Sequence, residues 1–220
     1  MTTRGGRDRR TRKRLLDAAT RLFAERGLKY VTVRAICRAA RANVAAVNYH
    51  FGDKMGLYRE VLEDAASVVT KMTAEAIAAG EGLPAEERFR AYVRINCQHI
   101  FRAGPKNRLQ QLMHRELQEP TEMLDTIIER VWKPRFEYLG GIVGELLGLP
   151  PDDDRVGRAL LSVHAQIVMF KPSPVQLRMG RNVERIVDPA DVAEHIIAFS
   201  LAGFEAYRAA AAVPAAAGRL

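Results

Sequence analysis

Apolar residues recur at helical spacing along nearly every long stretch of this chain, and no segment alternates with period two over a useful length. Leu15, Leu16, Ala19, Leu22 and Phe23 form one stripe, stopped by Gly27. Val33, Ile36 and Cys37 follow behind Thr32 as a cap, and Val47 and Phe51 behind Asn43. Asp53 caps a longer helix carrying Leu57, Val61, Leu62, Ala65, Val68 and Met72. Breaks at residues 80–84, Gly104-Pro105 and Pro120 then separate a helix from Ala85 to Arg102 and another running to Glu119. A long helix is expected over 121–147, kinked at Pro134. Another is expected from Asp154 as N-cap to Phe170, and a last one opens at Asp188-Pro189. Residues 171–188 read as irregular. The fold class is all-α, with about nine helices, and 48% hydrophobic residues supply enough apolar surface for a packed core.

Charge is distributed unevenly. Residues 1–60 hold 15 Lys/Arg and 5 Asp/Glu, a net of +10; residues 61–220 hold the other 19 and 21, a net of −2. An excess confined to one quarter of the chain points to a module that binds a polyanion. Two cysteines exclude a disulfide scaffold, and the arginine-rich start lacks the apolar core of a secretory signal, so a reducing cytoplasmic setting is expected. The run Ala159–Phe170 is too short for a membrane span.

Two short helices, about 33–40 and 44–50, follow a longer one and are joined by Arg41-Ala42-Asn43. That is the order of a helix-turn-helix, whose second helix enters the major groove. Val47 and Phe51 point inward, leaving Val44, Ala45, Asn48 and Tyr49 outward. Small residues admit close approach to bases, and Asn48 and Tyr49 can reach base edges or phosphates. Lys54, at the start of the next helix, is placed to join backbone N–H groups on a phosphate. The plainer alternative is that Tyr49 and His50 pack and cap a small bundle.

These residues resemble the DNA-binding domain of TetR-family regulators. The resemblance covers Thr11–Tyr58 without a gap: Leu15 to Ala19, Leu22 to Gly27, Thr32 to Ile36, Asn48 to Lys54, and Leu57-Tyr58. It implies that Thr32, Asn48 and Lys54 grip phosphates while Val44, Ala45 and Tyr49 face bases. Arg34, Arg41, Asn43, Ala46 and His50 complete the expected DNA-binding set. Arg41 stands where the family usually has glycine, which costs strain if the turn needs positive φ and adds a cation near the DNA. Asn43 to Gly52, Leu109 to Thr121, Lys133-Pro134-Arg135-Phe136 and Gly140–Pro150 resemble the CecR (YbiH-like) subgroup. That resemblance implies a bacterial regulator of stress, efflux or drug-sensitivity genes.

The expected organisation is a helix-turn-helix domain over 1–56, with a flexible basic arm at 1–9. An effector-binding and dimerisation domain over 57–212 and a disordered tail at 213–220 follow. The last two helices are apolar on more than one face. They are either central core helices or a homodimer interface, the latter using Leu160, Val163, Ile167, Phe170, Ile196, Phe199, Gly203 and Phe204. Tyr92, Asn96, His99, Met113, Glu116, Phe136 and His164 are the candidate effector pocket, unless the polar members merely satisfy one another. No cofactor, metal or catalytic constellation is expected. The function read from this is a one-component repressor, binding a palindromic double-stranded operator as a homodimer and released by a small molecule. The rival is an all-α enzyme or adaptor with a basic arm.

Overall fold

The computed structural model describes residues 4–102, 108–170 and 188–212. Every regular element among them is helical: α1 (Arg4–Arg26), α2 (Val33–Ala40), α3 (Val44–Phe51), α4 (Lys54–Ala79), α5 (Ala85–Arg102) and α6 (Arg108–Gln118). Then come α7 (Leu124–Ile127), a π-turn (Ile128–Trp132), α8 (Lys133–Leu147), α9 (Asp154–Met169) and α10 (Pro189–Ala212). The unbroken run 124–147 counts as one helix, giving nine among the described residues.

Local chemistry sets the ends. The side chains of Thr32 and Asn43 accept from the amides of Ala35 and Ala45 at 3.2 and 3.0 Å. Asp53 accepts from Gly56 at 2.7 Å, and Asp188 from Ala190 at 2.9 Å, each using an amide that has no partner inside its helix. The cap of α9 is Asp153, one residue before the expected Asp154. Its carboxyl is held down at about 2 by the Arg155 guanidinium and backbone N–H. The break expected at Pro134 falls just upstream. Proline offers no N–H to Arg130 and crowds its carbonyl, and the chain widens into the π-turn immediately before it. The arm assigned to residues 1–9 is helical from Arg4, because α1 begins there. The irregular stretch expected over 171–187 and the tail expected over 213–220 lie outside the described residues.

The chain forms two compact units: Met1–Val69 with Asn107–Val131, and Thr70–Lys106 with Trp132–Leu220. Residues 107–131 thus belong with the N-terminal helices, whereas the sequence division fell at 56/57.

In the first unit α1 packs on α2, α3 and α6. Leu15, Phe23, Ile36, Val47, Leu57 and Leu112 are fully buried in it. Phe23 and Tyr58 meet edge to face at 5.0 Å. Arg115 of α6 donates from Nε to the carbonyl of Ala24 and from a terminal nitrogen to that of Glu25, both at 2.8 Å. It thereby caps the C-terminus of α1, where a cation is favoured. Glu116 is 1% exposed and accepts from Tyr58 Oη at 2.7 Å, Thr121 N–H at 2.8 Å and Thr121 Oγ1 at 2.6 Å. A carboxylate so deep is tolerable because every direction of its charge meets a donor.

In the second unit α5 packs on α8 and α10, and α8 on α9. Phe89, Val93, Ile142, Val163, Ile167 and Ile196 share one core. Leu160, Val163, Ile167, Ile196 and Phe204, expected at a dimer interface, are buried within the chain itself. Their stripe faces α5 and α8, whose apolar sides would otherwise stay wet. Phe199, 66% exposed, and the partly exposed Phe170 and Gly203 remain on the outside. With them on the surface are Leu161 and Met169, the latter 71% exposed.

Candidate functional site

The face of α3 is the bare surface of the first unit. Val47 and Phe51 anchor it from below. Val44, Ala45, Asn48 and Tyr49 are exposed, Tyr49 at 76%, and Ala46 is half-buried. A large aromatic held in water on a fixed helix is chemically available for a partner. Thr32, Arg34, Arg41 and Asn43 are also exposed. The turn between α2 and α3 places Arg41 at φ 49°, ψ 50°, the left-handed region. It is the sole non-glycine residue with positive φ among the described residues. The backbone thus adopts the glycine-type turn that Arg41 was expected to strain, at about 1 kcal/mol.

Two expected contacts are oriented otherwise. His50 turns inward, its Nε2 3.4 Å from Asp8 Oδ1 and its side chain nearly closed to solvent. The register of α3 puts position 50 on the α1 side, so His50 packs where a DNA contact was expected. Lys54 donates to the carbonyls of Leu28 and Val31 at 3.0 and 3.1 Å, tying down the loop between α1 and α2. One of its three protons is left for a phosphate. Exposed Arg38 and the exposed pair Lys29 and Tyr30, with Lys29 Nζ 5.9 Å from the Tyr30 ring centre, were missed in the sequence. The available signal was a cation beside an aromatic in a short polar turn.

The candidate effector residues separate. Met113 and Glu116 lie in the first unit, with Glu116 committed to Tyr58 and Thr121. His99 pairs with Glu75 at 2.7 Å. Mutual satisfaction of Asn96, His99 and Glu116 is therefore excluded by their partners. Tyr92, Asn96, Phe136 and His164 do lie together in the second unit, where α5, α8 and α9 meet. The sequence reading missed two members of that junction, Trp132 and Arg135. Trp132, Phe136 and His164 form a ring trio with centroids 5.5–5.7 Å apart. Arg135, 4% exposed, sits with its guanidinium 5.5 Å from the Tyr92 ring centre. Burial, then the Arg135 charge, pulls His164 down to about 4. Burial raises Tyr92, against the pull of Arg135. Arg135 could have been noticed as a cation in the apolar stripe Val131, Leu139, Ile142. Cys97 is buried and its thiol is pushed up to about 12, which leaves it unreactive. Among the described residues no group of three or more His, Cys, Asp or Glu is placed to hold a metal. No helix among them is long and apolar enough to cross a membrane.

Residues 15–61 match the bacterial regulatory proteins of the TetR family, and residues 85–204 match the C-terminal domain of the HTH-type transcriptional dual regulator CecR. CecR of Shigella flexneri is 26% identical over 175 residues, 76% of this chain and 75% of that protein. The regulator AcrR of the same organism is 34% identical over 65 residues, 30% of each. Among solved structures, the hemolysin II transcriptional regulator HlyIIR aligns with a TM-score of 0.60 at 21% identity, covering 82% of this chain and 96% of that one. AibR, solved with isovaleryl coenzyme A and operator DNA, aligns with a TM-score of 0.65 at 18% identity, covering 86% and 97%. These two structures support the fold. With a basic helix-turn-helix at one end and the CecR-type domain over more than half its length, the chain belongs to the TetR family of transcriptional regulators, in the CecR subgroup.

Proposed function

We propose that the protein is a cytoplasmic one-component repressor that binds a palindromic operator as a homodimer and releases it on binding a small molecule. The exposed α3 face, with Tyr49 standing out from a unit that carries the chain's positive charge, is the observation that carries this reading. Val44, Ala45, Asn48 and Tyr49 would read base edges. Thr32, Arg34, Arg41, Asn43 and the spare proton of Lys54 would hold the backbone. Leu161, Met169 and Phe199 leave large apolar groups on the outer faces of α9 and α10, which suits a symmetric partner copy. That AibR was solved with both an acyl coenzyme A and operator DNA fits a family in which one chain binds both kinds of ligand.

The test is anisotropy of labelled DNA from upstream of the protein's own gene. Affinity should fall steeply with salt through counterion release. Tyr49→Ala should lose discrimination between this DNA and random DNA. Equal binding to both by the wild type, or salt-independent binding, sinks the reading. Met169→Glu with Phe199→Glu should give a folded monomer by light scattering, and a monomeric wild type removes the dimer.

A further inference from the structure

The junction of α5, α8 and α9 holds polar groups that nothing answers. Tyr92 Oη, Asn96 Oδ1, Trp132 Nε1 and Arg135 Nε are all buried without a hydrogen-bond partner. Asn96 spends its amide nitrogen on the Tyr92 carbonyl at 2.7 Å, which leaves its oxygen free. Arg135 is almost fully buried, and its Nε is the atom left without a partner. Burying polar atoms without partners is costly, and four of them sit on these elements.

The three hydrogen-bearing groups here are donors: the Arg135 guanidinium, the Tyr92 hydroxyl and the Trp132 indole N–H. Their joint complement is an oxygen anion. Beside them the Trp132, Phe136 and His164 rings form an apolar wall, with His164 neutral at physiological pH and so adding no second charge. We infer that this junction binds a small organic carboxylate, its carboxyl group on Arg135, Tyr92 and Trp132 and its apolar body against Phe136 and His164. Asn96 Oδ1 takes a donor from the ligand where one is present. The inference rests on the effector reading above and adds the ligand's charge and chemical class. Charge-assisted bonds in a dry site discriminate sharply against a neutral isostere.

The chain has one tryptophan, so excitation of Trp132 reports on the junction alone. Full-length protein is titrated with benzoate, cinnamate and octanoate, and with the amide of each, by calorimetry and Trp132 emission. At least one acid should bind about tenfold or more tighter than its amide. In Arg135→Leu that preference should fall to about one, and in Tyr92→Phe it should fall part way. Three acids no better than their amides, or a preference retained in Arg135→Leu, overturns the inference. Should Arg135→Leu fail to fold, the wild-type comparison and Tyr92→Phe decide. Operator DNA separates the two proposals. Acids that bind through Arg135 without changing operator affinity leave the site standing and remove its role as the effector pocket. Release of the operator by another compound, with no acid bound, does the reverse.

Discussion

The two units treat buried polarity in opposite ways. In the first, Glu116 accepts three hydrogen bonds, Arg115 caps two carbonyls of α1 and Lys54 holds two of the α1–α2 loop. In the second, five buried side-chain atoms have no partner: Arg88 Nε, Tyr92 Oη, Asn96 Oδ1, Trp132 Nε1 and Arg135 Nε. Among the described residues, all such atoms fall in that unit. A platform that presents a fixed helix to DNA gains from complete internal satisfaction. A region that must recognise a ligand gains from bonding capacity held in reserve.

The largest effect should come from breaking the platform at its tightest joint. A Cβ on Gly56 would lie 2.0 Å from the Phe51 carbonyl oxygen. Gly56→Ala must therefore part α3 from α4, and should cost more than about 3 kcal/mol in urea unfolding and abolish DNA retention. Unchanged unfolding would show that the joint is not tight.

A matched pair sharpens the contrast next. Glu116→Gln leaves donors facing an amide and should cost about 2–3 kcal/mol. Asn96→Leu, of similar shape, removes an oxygen that has no donor and a single bond to the Tyr92 carbonyl, and should stay within about 1 kcal/mol of wild type. Equal losses would erase the distinction between the units.

Acid should weaken the second unit through His164. Its folded pKa of about 4 lies below the ordinary 6.5, so the unfolded chain binds the proton more readily. The stability this ring contributes is present above pH 6.5 and is lost as pH falls toward 4, by about 3 kcal/mol. His164→Phe should flatten that part of a pH–stability curve, and an unaltered curve would show that His164 is not the titrating group.

The smallest effect has a divided sign. Arg41→Gly relieves the left-handed φ of 49° and should raise the melting free energy by about 1 kcal/mol. The same change should weaken DNA binding severalfold in anisotropy, because a cation leaves the face that carries α3. Gains in both, or losses in both, would contradict the placement of Arg41.

Much of this fold could be read in the sequence because caps and stripes are local. Thr32, Asn43 and Asp53 cap the helices they precede, and the φ at Arg41 follows from the turn in which it replaces glycine. The harder part was which stripe meets which. An apolar face announces that it will be covered, not by what. So the Val163 and Ile167 face was open to a partner copy on paper and meets the chain's own core in space. Glu116 was grouped with Asn96 because both are polar members of inward stripes, and a helical wheel cannot show that one faces Tyr58. Trp132 and Arg135 escaped notice because orphaned atoms become visible only when every neighbour is placed.

The membership of residues 107–131 in the first unit has a consequence for how the protein is made. The ribosome completes α1 to α3 early, but Arg115, Glu116 and the apolar side of α6 emerge only after an intervening stretch. From Thr70 through Val131 the chain gains 62 residues, roughly 3–12 s of synthesis at ordinary translation rates. Throughout that interval the nascent helices expose the surface that α6 will cover, and Tyr58 waits for its acceptor. A regulator of this design acquires its finished DNA-reading head only once more than half its length has been translated.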